Sequence, residues 1–362
     1  MFATIVGAYP RTPLPGQPFR LRAAHAQLER GEIDEAGLRA VQDDLAREVI
    51  AEQMDAGLGL VTDGQVRWED PQTAIARGLD GFEITGLLRY FDTNTYYRQP
   101  RALREPRWRG PILVDDWRFA DRAAREQAAL QGTEPVAVKA CLVGPYTLAR
   151  LSEAAEMGHE RLTIALAEAV SEEIRALLDA GAPVVQVDEN ALTLIGRDDD
   201  AERRLVADAF RRLTRVATGR RLCLAVTMGD AQHLGAPLLF DAPFGSYLFD
   251  LVAGAENWRL ISYAPSDRTI ICGVADARNT RPDDEAVLLA SARYAAGLGD
   301  RGLERVGLSP STGLEYLPRD RARTKIRALG AAARKVAQAD GGELHAVMDP
   351  APAQTGETAA GA

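Results

Sequence analysis

Short apolar runs alternate along the chain with longer stretches in which apolar positions recur every three or four residues. The short runs are Thr4–Val6, Leu58–Thr62, Val136–Cys141, Val184–Val187, Leu222–Val226, Ser246–Phe249, Thr269–Val274 and Arg305–Leu308. They are rich in β-branched residues and apolar nearly throughout, as strands buried on both faces are. The amphipathic stretches cover about Glu35–Ala56, Arg118–Leu130, Glu160–Asp179, Ala201–Thr218, Asp284–Gly297 and Arg319–Ala339, with Gly132, Gly181, Gly219 and Gly299 as helix stops. Eight strands, most of them followed by a helix, predict an α/β fold of the (β/α)8 TIM-barrel type. An open doubly wound sheet is the competing architecture, but no Gly-x-Gly-x-x-Gly follows a strand and no phosphate-loop motif occurs.

Two segments break the alternation. Residues 84–114, with Arg89-Tyr-Phe-Asp-Thr-Asn-Thr-Tyr-Tyr-Arg98 followed by Pro100, Pro106 and Pro111, predict a hairpin or long insertion after the second strand. The stretch between the first strand and Glu35 reads as a long loop. Residues 1–345 are expected to form a single barrel domain, and residues 346–362 a disordered tail.

The chain has 362 residues, a net charge of -9 and 46% hydrophobic residues, an ordinary globular composition that argues against a nucleic-acid partner. No apolar run reaches the roughly 20 residues that span a bilayer, and no signal peptide is read at Met1-Phe-Ala-Thr-Ile-Val-Gly7. A cytoplasmic protein without a membrane partner is expected. Cys141, Cys223 and Cys272 each lie in or beside a strand-like run and read as buried free thiols. His25, His159, His233 and His345 are not spaced as metal ligands.

In a barrel, the residues that follow each strand line one rim, where ligands bind. That rim would carry Gly7, Tyr9, Asp63, Gln65, Arg67, Asp188, Glu189, Asp250, Asp276, Arg278, Asn279 and Thr312, with Asn94 from the aromatic insertion. The adjacent acids Asp188 and Glu189, at the end of Val-Val-Gln-Val, stand out, because charge at the end of a buried strand is costly unless paired or bound. Clustered carboxylates suit an ammonium group, a sulfonium or a metal, with Arg67 and Arg278 as counter-charges. An aspartate at a strand end also serves to cap the next helix or turn, and that reading stays open for Asp63, Asp250 and Asp276. The candidate catalytic residues are Asp188, Glu189 and Asp276, and the remaining rim residues are candidate substrate ligands.

Several of these motifs resemble the cobalamin-independent methionine synthases. Val-Gln-Val-Asp188-Glu189-Asn-Ala-Leu resembles that family's Ile-Gln-Ile-Asp-Glu-Pro-Ala-Leu, and Ile-Val-Gly7-Ala-Tyr9-Pro10 resembles its Ile-Gly-Ser-Phe/Tyr-Pro start. Leu-Val-Gly144-Pro145-Tyr-Thr147, Phe91-Asp-Thr-Asn94, Asp276-Ala-Arg278-Asn279 and Ser309-Pro-Ser311-Thr312-Gly also fit, in order from about residue 4 to 335. The resemblance implies (β/α)8 barrels related to uroporphyrinogen decarboxylase, two in full-length members and one in a chain of this length. Several motifs are closer to the N-terminal barrel.

In the family, zinc in the C-terminal barrel activates a thiolate that takes a methyl group from methyltetrahydrofolate. The implied zinc ligands are His-x-Cys, Glu and Cys after strands five, six and eight. The corresponding residues here are Thr227-Met-Gly229, Asp250 and Thr312, so no metal site is expected. The family's His-Gly-Glu-x-Glu-Arg reads Asp63-Gly64-Gln65-Val-Arg67-Trp68. The resemblance implies a methyl or alkyl transferase acting on a small thiol or amino-acid-like substrate, with a folate-type donor in prospect and without the zinc site. Asp188 and Glu189 would hold or deprotonate the substrate, and Arg278 would orient an anionic group. A zinc-free lyase or decarboxylase, and a non-catalytic barrel paired with a separate catalytic barrel or with its own copies, are the alternatives.

Overall fold

The computed structural model describes residues 1–216 and 221–338. In chain order its strands are β1 (Phe2–Ala3), β2 (Leu60–Val61), β3 (Leu79–Arg89), β4 (Tyr96–Trp108), β5 (Ala137–Val138), β6 (Ala140–Val143), β7 (Val185–Asp188), β8 (Leu222–Val226), β9 (Ser246–Asp250), β10 (Thr269–Ala275) and β11 (Val306–Pro310). Seven of them form one parallel sheet in the order β1-β11-β10-β9-β8-β7-β6. Its register sets Ala140 beside Val185 and Val185 beside Leu222. Strand β2 pairs in parallel with β5, Thr4 bridges to Leu60, and Lys139 N donates to Val61 O at 3.0 Å. The far edge of the sheet is thereby brought back toward its first strand.

The main helices are α1 (Arg20–Glu29), α2 (Glu35–Asp55), α3 (Pro71–Gly78), α4 (Val114–Gln131), α5 (Pro145–Arg150), α6 (His159–Asp179) and α7 (Asp200–Arg215). The short α8 (Ala236–Phe240) and α9 (Asn257–Leu260) precede α10 (Glu285–Gly297) and α11 (Arg319–Gln338). Most of the long helices turn an apolar stripe toward the sheet. Helix α6 buries Leu162, Leu166, Val170, Ile174 and Leu177, each contributing about 1.5–3 kcal/mol relative to exposure. Asp34, Asp70, Asp199 and Asp284 cap the starts of α2, α3, α7 and α10 with side-chain oxygens. A second, smaller apolar cluster of Val6, Cys223, Ala225, Leu248 and Ile271 lies apart from the main core. Strand alternation places Lys139 and Cys141, and likewise Gln186 and Asp188, on one face.

The structure departs from the sequence reading in several places. Strand one is Phe2–Ala3, with Thr4 held only by a bridge. The run Val136–Cys141 is two strands, because the chain changes partner from β2 to β7 at Lys139. The expected loop before Glu35 contains α1, whose single buried residue, Ala24, leaves no apolar stripe to read. The hairpin begins at Leu79, and helix α4 at Val114, where Asp115 and Asp116 favour a helix N-terminus. All three cysteines are free and buried. Among the described residues, no helix is long and apolar enough to cross a membrane. The helix stop expected at Gly219, His345 and the tail lie outside the described residues.

Candidate active site

Beyond the carboxyl end of β7 lies a cavity of about 350 Å³, the place where parallel α/β folds bind ligands. Its walls come from four directions. The loops after β1 and β2 supply Tyr9, Arg11, Gln65 and Trp68, and helix α3 supplies Gln72. The hairpin turn supplies Tyr90, Asn94 and Tyr96. The ends of β7, β8 and β11 supply Asp188, Asn190, Thr227, Thr312, Glu315 and Tyr316. A larger hollow of about 820 Å³ lies between β4 and α6, but charged side chains on it pair across it, Arg161 with Glu105 at 2.7 Å, and no residue at the carboxyl ends of the parallel strands lines it.

Asp188 is the chemically distinctive group. Desolvation raises its pKa to about 7, against the opposing effects of a hydrogen bond from Gln186 and the charge of Lys139. Gln186 Nε2 donates to its Oδ1 at 2.7 Å. Burial likewise pushes Glu315 above the usual carboxylate range, offset in part by hydrogen bonds from its own backbone N–H and from Tyr316 and by the Arg11 guanidinium. Arg11 itself donates to the carbonyl oxygens of Trp68 and Glu69. Neither Asp188 nor Glu315 has an ion-pair partner among the described residues.

Gln72 is 0% exposed, and neither atom of its amide has a well-formed hydrogen bond. The Tyr90 hydroxyl is its polar neighbour and also accepts from Asn190 Nδ2 at 3.0 Å. Asn190 Oδ1 in turn accepts from Thr227 N and Oγ1, so this one side chain ties the hairpin turn to the strand ends. Two non-glycine rim residues, Gln65 and Met228, hold left-handed backbone with φ of 53° and 77°, a conformation that costs energy and clusters at functional sites.

Five of the expected site residues face the cavity: Tyr9, Gln65, Asn94, Asp188 and Thr312. Tyr9 presents only its ring, because its hydroxyl donates to Glu52 at 2.9 Å. Gly7 stands just behind the wall. A Cβ there would lie 2.7 Å from Gln65 Nε2, so its bare backbone makes room for Gln65.

The other expected residues are turned elsewhere. Glu189 is 0% exposed, and its carboxylate accepts from Tyr146 N at 3.0 Å and from Thr147 N and Oγ1, both at 2.7 Å, at the start of α5. Burial raises its pKa to about 7, and those donors act in the opposite direction. It occupies the space a side chain on Gly144 would need, since a Cβ there would lie 2.2 Å from Glu189 Cδ. Asp250 spends Oδ1 on Val252 N and Ala253 N and Oδ2 on Met228 N.

Asp276 closes its own turn by accepting from Arg278 N at 3.0 Å, and Asn279 accepts from Arg281 N. Arg278 pairs at 3.0 Å with Asp92, an exposed hairpin residue. Arg67, with a side chain 3% exposed, lies beneath the rim against Asp43 at 2.7 Å and over the Phe119 ring, while Asp63 accepts from Gln65 N. These residues frame the rim and do not reach the cavity. The capping role held open for Asp63, Asp250 and Asp276 is the one observed.

Sequence reasoning missed Gln72, Glu315 and Tyr316 as wall residues. Gln72 lies on a helix rather than after a strand. Glu315 and Tyr316 lie three and four residues past Thr312, where no motif marked them. Thr227 and Thr312 hydroxyls stand 3.2 Å apart, and Thr312 also donates to Met228 Sδ. Among the described residues, no group of three His, Cys, Asp or Glu side chains is arranged to hold a metal.

Comparison with known proteins adds the following. The sequence profile of the family described as "Cobalamin-independent synthase, N-terminal domain" matches residues 67–294. A methionine synthase of Saccharolobus solfataricus is 26% identical over 325 residues, covering 89% of this chain and 91% of that protein. A B12-independent methionine synthase from Shewanella sp. W3-18-1, solved with selenomethionine bound, superposes with a TM-score of 0.75 at 18% identity, over 95% of this chain and 98% of that one. A putative B12-independent methionine synthase from Listeria monocytogenes gives a TM-score of 0.71 at 17% identity, over 93% and 98%. At these identities the structural likenesses concern the fold.

Proposed function

The chain belongs to the cobalamin-independent synthase family, and from that membership we propose that it is a methyl or alkyl transferase acting on a small thiol or amino-acid-like substrate. We read the parallel strands, with the Thr4–Leu60 bridge and the β2–β5 pair, as a closed (β/α)8 barrel carrying the β3–β4 hairpin as an insertion. The observation that carries the functional reading is Asp188, a carboxyl without an ion-pair partner that titrates near neutrality in the wall of a cavity at the strand ends.

Its role is to hold the substrate's ammonium or to take the thiol proton. A free thiol has a pKa of about 8.5, so transfer to a group near 7 is uphill by about 2 kcal/mol, a small part of a typical barrier. The thiol S–H bond gives its proton to Asp188. The sulfur pair then forms the new S–C bond, and the donor leaves with the pair of the broken bond to methyl. Glu315 and the aromatic walls of Trp68, Tyr90 and Tyr316 suit a cationic group on the substrate or donor, and a folate-type donor remains in the proposal as one candidate.

Zinc does not fit the residues present. The positions that hold it in the family read Thr227, Gly229, Asp250 and Thr312. The two threonine hydroxyls are bonded to each other and to Asn190 or Met228, glycine offers no donor, and both Asp250 oxygens accept backbone N–H groups. A set without thiolate or imidazole is a poor zinc site, and the proposed step runs through Asp188 alone.

The test is purified protein incubated with homocysteine and other thiols or amines against methyltetrahydrofolate, methylcobalamin and sulfonium donors, with products read by mass spectrometry and bound metal by elemental analysis. Methylated product without stoichiometric zinc is expected. No transfer from any donor would overturn the reading. The match to an N-terminal-domain profile supports a second reading, a barrel that works beside a separate catalytic barrel. Turnover by this chain alone separates the two.

A further inference from the structure

Lys139 is 2% exposed and Gln186 is 0% exposed, side by side beneath the cavity. The Lys139 ammonium has no ion-pair partner among the described residues. It donates to Ile5 O and to Gln186 Oε1, each at 2.6 Å. Burying an ammonium among neutral acceptors costs several kcal/mol, more than a packing role for one lysine would return. The Gln186 amide continues the chain, since its Nε2 donates to Val6 O and to Asp188 Oδ1, both at 2.7 Å. Both Gln186 ends are thereby fixed, the carbonyl by a donor that cannot accept and the NH2 by acceptors.

We propose that Lys139 and Gln186 are positioning residues for Asp188, a buried relay that turns its carboxylate into the cavity and sets the pH at which it ionises. The positive charge polarises the Gln186 amide, and the polarised N–H strengthens its bond to the ionised carboxylate. Charge placed below the floor favours the ionised form while leaving the cavity side of Asp188 free, which a direct ion pair would not. Strand geometry builds the chain. Lys139 sits at the break between β5 and β6, and Gln186 and Asp188 are two residues apart on β7, so both face the same way.

The other titratable groups around Asp188 are Cys141 on β6, Cys223 on β8, its neighbour Glu189, Tyr90 from the hairpin turn and Glu315 from the loop after β11. None of them carries a positive charge, and Glu315 opposes its ionisation. Lys139 is the charge that favours it.

The relay concerns the ligand-free protein, so its test stands or falls apart from methyl transfer. Protein carrying 13C at aspartate carboxyls is titrated by NMR, with Asp188 assigned by its loss in Asp188→Asn. Lys139→Met is expected to move the Asp188 midpoint up by about one pH unit, a tenfold drop in ionised fraction at fixed pH. Gln186→Leu moves it the same way, and Lys139→Arg restores it. Gln186→Leu keeps the test intact if Lys139→Met does not fold. Thr163→Val, a buried change on α6, serves as the control that alters stability without moving the midpoint. Folded Gln186→Leu or Lys139→Met protein with the wild-type Asp188 titration would overturn the proposal.

Discussion

On the cavity side of the rim, Asp188 and Glu315 stand without an ion-pair partner among the described residues, and the Gln72 amide stands without a well-formed hydrogen bond. At the ends of β7, β9 and β10, Glu189 and Asp250 give both oxygens to backbone N–H groups, Glu189 accepting from a threonine hydroxyl as well, and Asp276 gives one. The residue types are the same and all follow parallel strands. What separates them is whether a nearby turn or helix start offers N–H donors. Where donors exist, the carboxylate is part of the frame. Burial raises the pKa on both sides of the comparison, so what marks Asp188 is that its carboxylate faces the cavity without a backbone N–H donor and can take a ligand.

The comparison breaks most easily at Glu189. Replacing it by Ala leaves two buried N–H groups and a hydroxyl without an acceptor and opens a void, at a cost of about 3 kcal/mol or more. Chemical denaturation checks this, and a loss below about 1 kcal/mol would return Glu189 to the list of reactive groups. Asp250→Ala is expected to cost about 2 kcal/mol by the same measurement, through three lost N–H acceptor contacts.

Asp188→Asn should act in the opposite direction. The folded-state pKa of Asp188 is raised from 3.8 to about 7, so between those values the native state holds more protons than the unfolded chain, and stability falls as pH rises through that window. The variant is expected to match the wild type near pH 4 and to be the more stable at pH 8. Equal stability at both pH values would place the Asp188 carboxyl in water. The smallest effect belongs to Arg278→Ala. Its ion pair with Asp92, whose side chain is 74% exposed, is worth at most about 0.5 kcal/mol. A larger loss in a double-mutant cycle with Asp92→Ala would make the hairpin contact part of the frame.

The parallel strands were largely legible, because β7 to β11 are apolar runs bounded by turns, and the strand-end rule led directly to Asp188, Gln65 and Thr312. The division of labour between Asp188 and Glu189 was not. The two are neighbours at the end of one strand, and the alternation of side chains sends one toward the cavity and the other toward Gly144 and the start of α5. Nor did any local pattern mark Gln72 or Lys139. Each is an ordinary polar residue until the fold leaves the Gln72 amide unbonded and encloses the Lys139 ammonium among carbonyl oxygens.

The central claim is that Asp188 acts on ligand while the satisfied carboxylates hold the frame. The most direct measurement is thiol methylation per folded molecule by Asp188→Asn beside Asp250→Asn, at a pH where both are native. The account predicts a loss of roughly 100-fold or more for Asp188→Asn with stability retained, and near wild-type turnover for Asp250→Asn with stability reduced. Full activity in Asp188→Asn together with its loss in folded Asp250→Asn would contradict it.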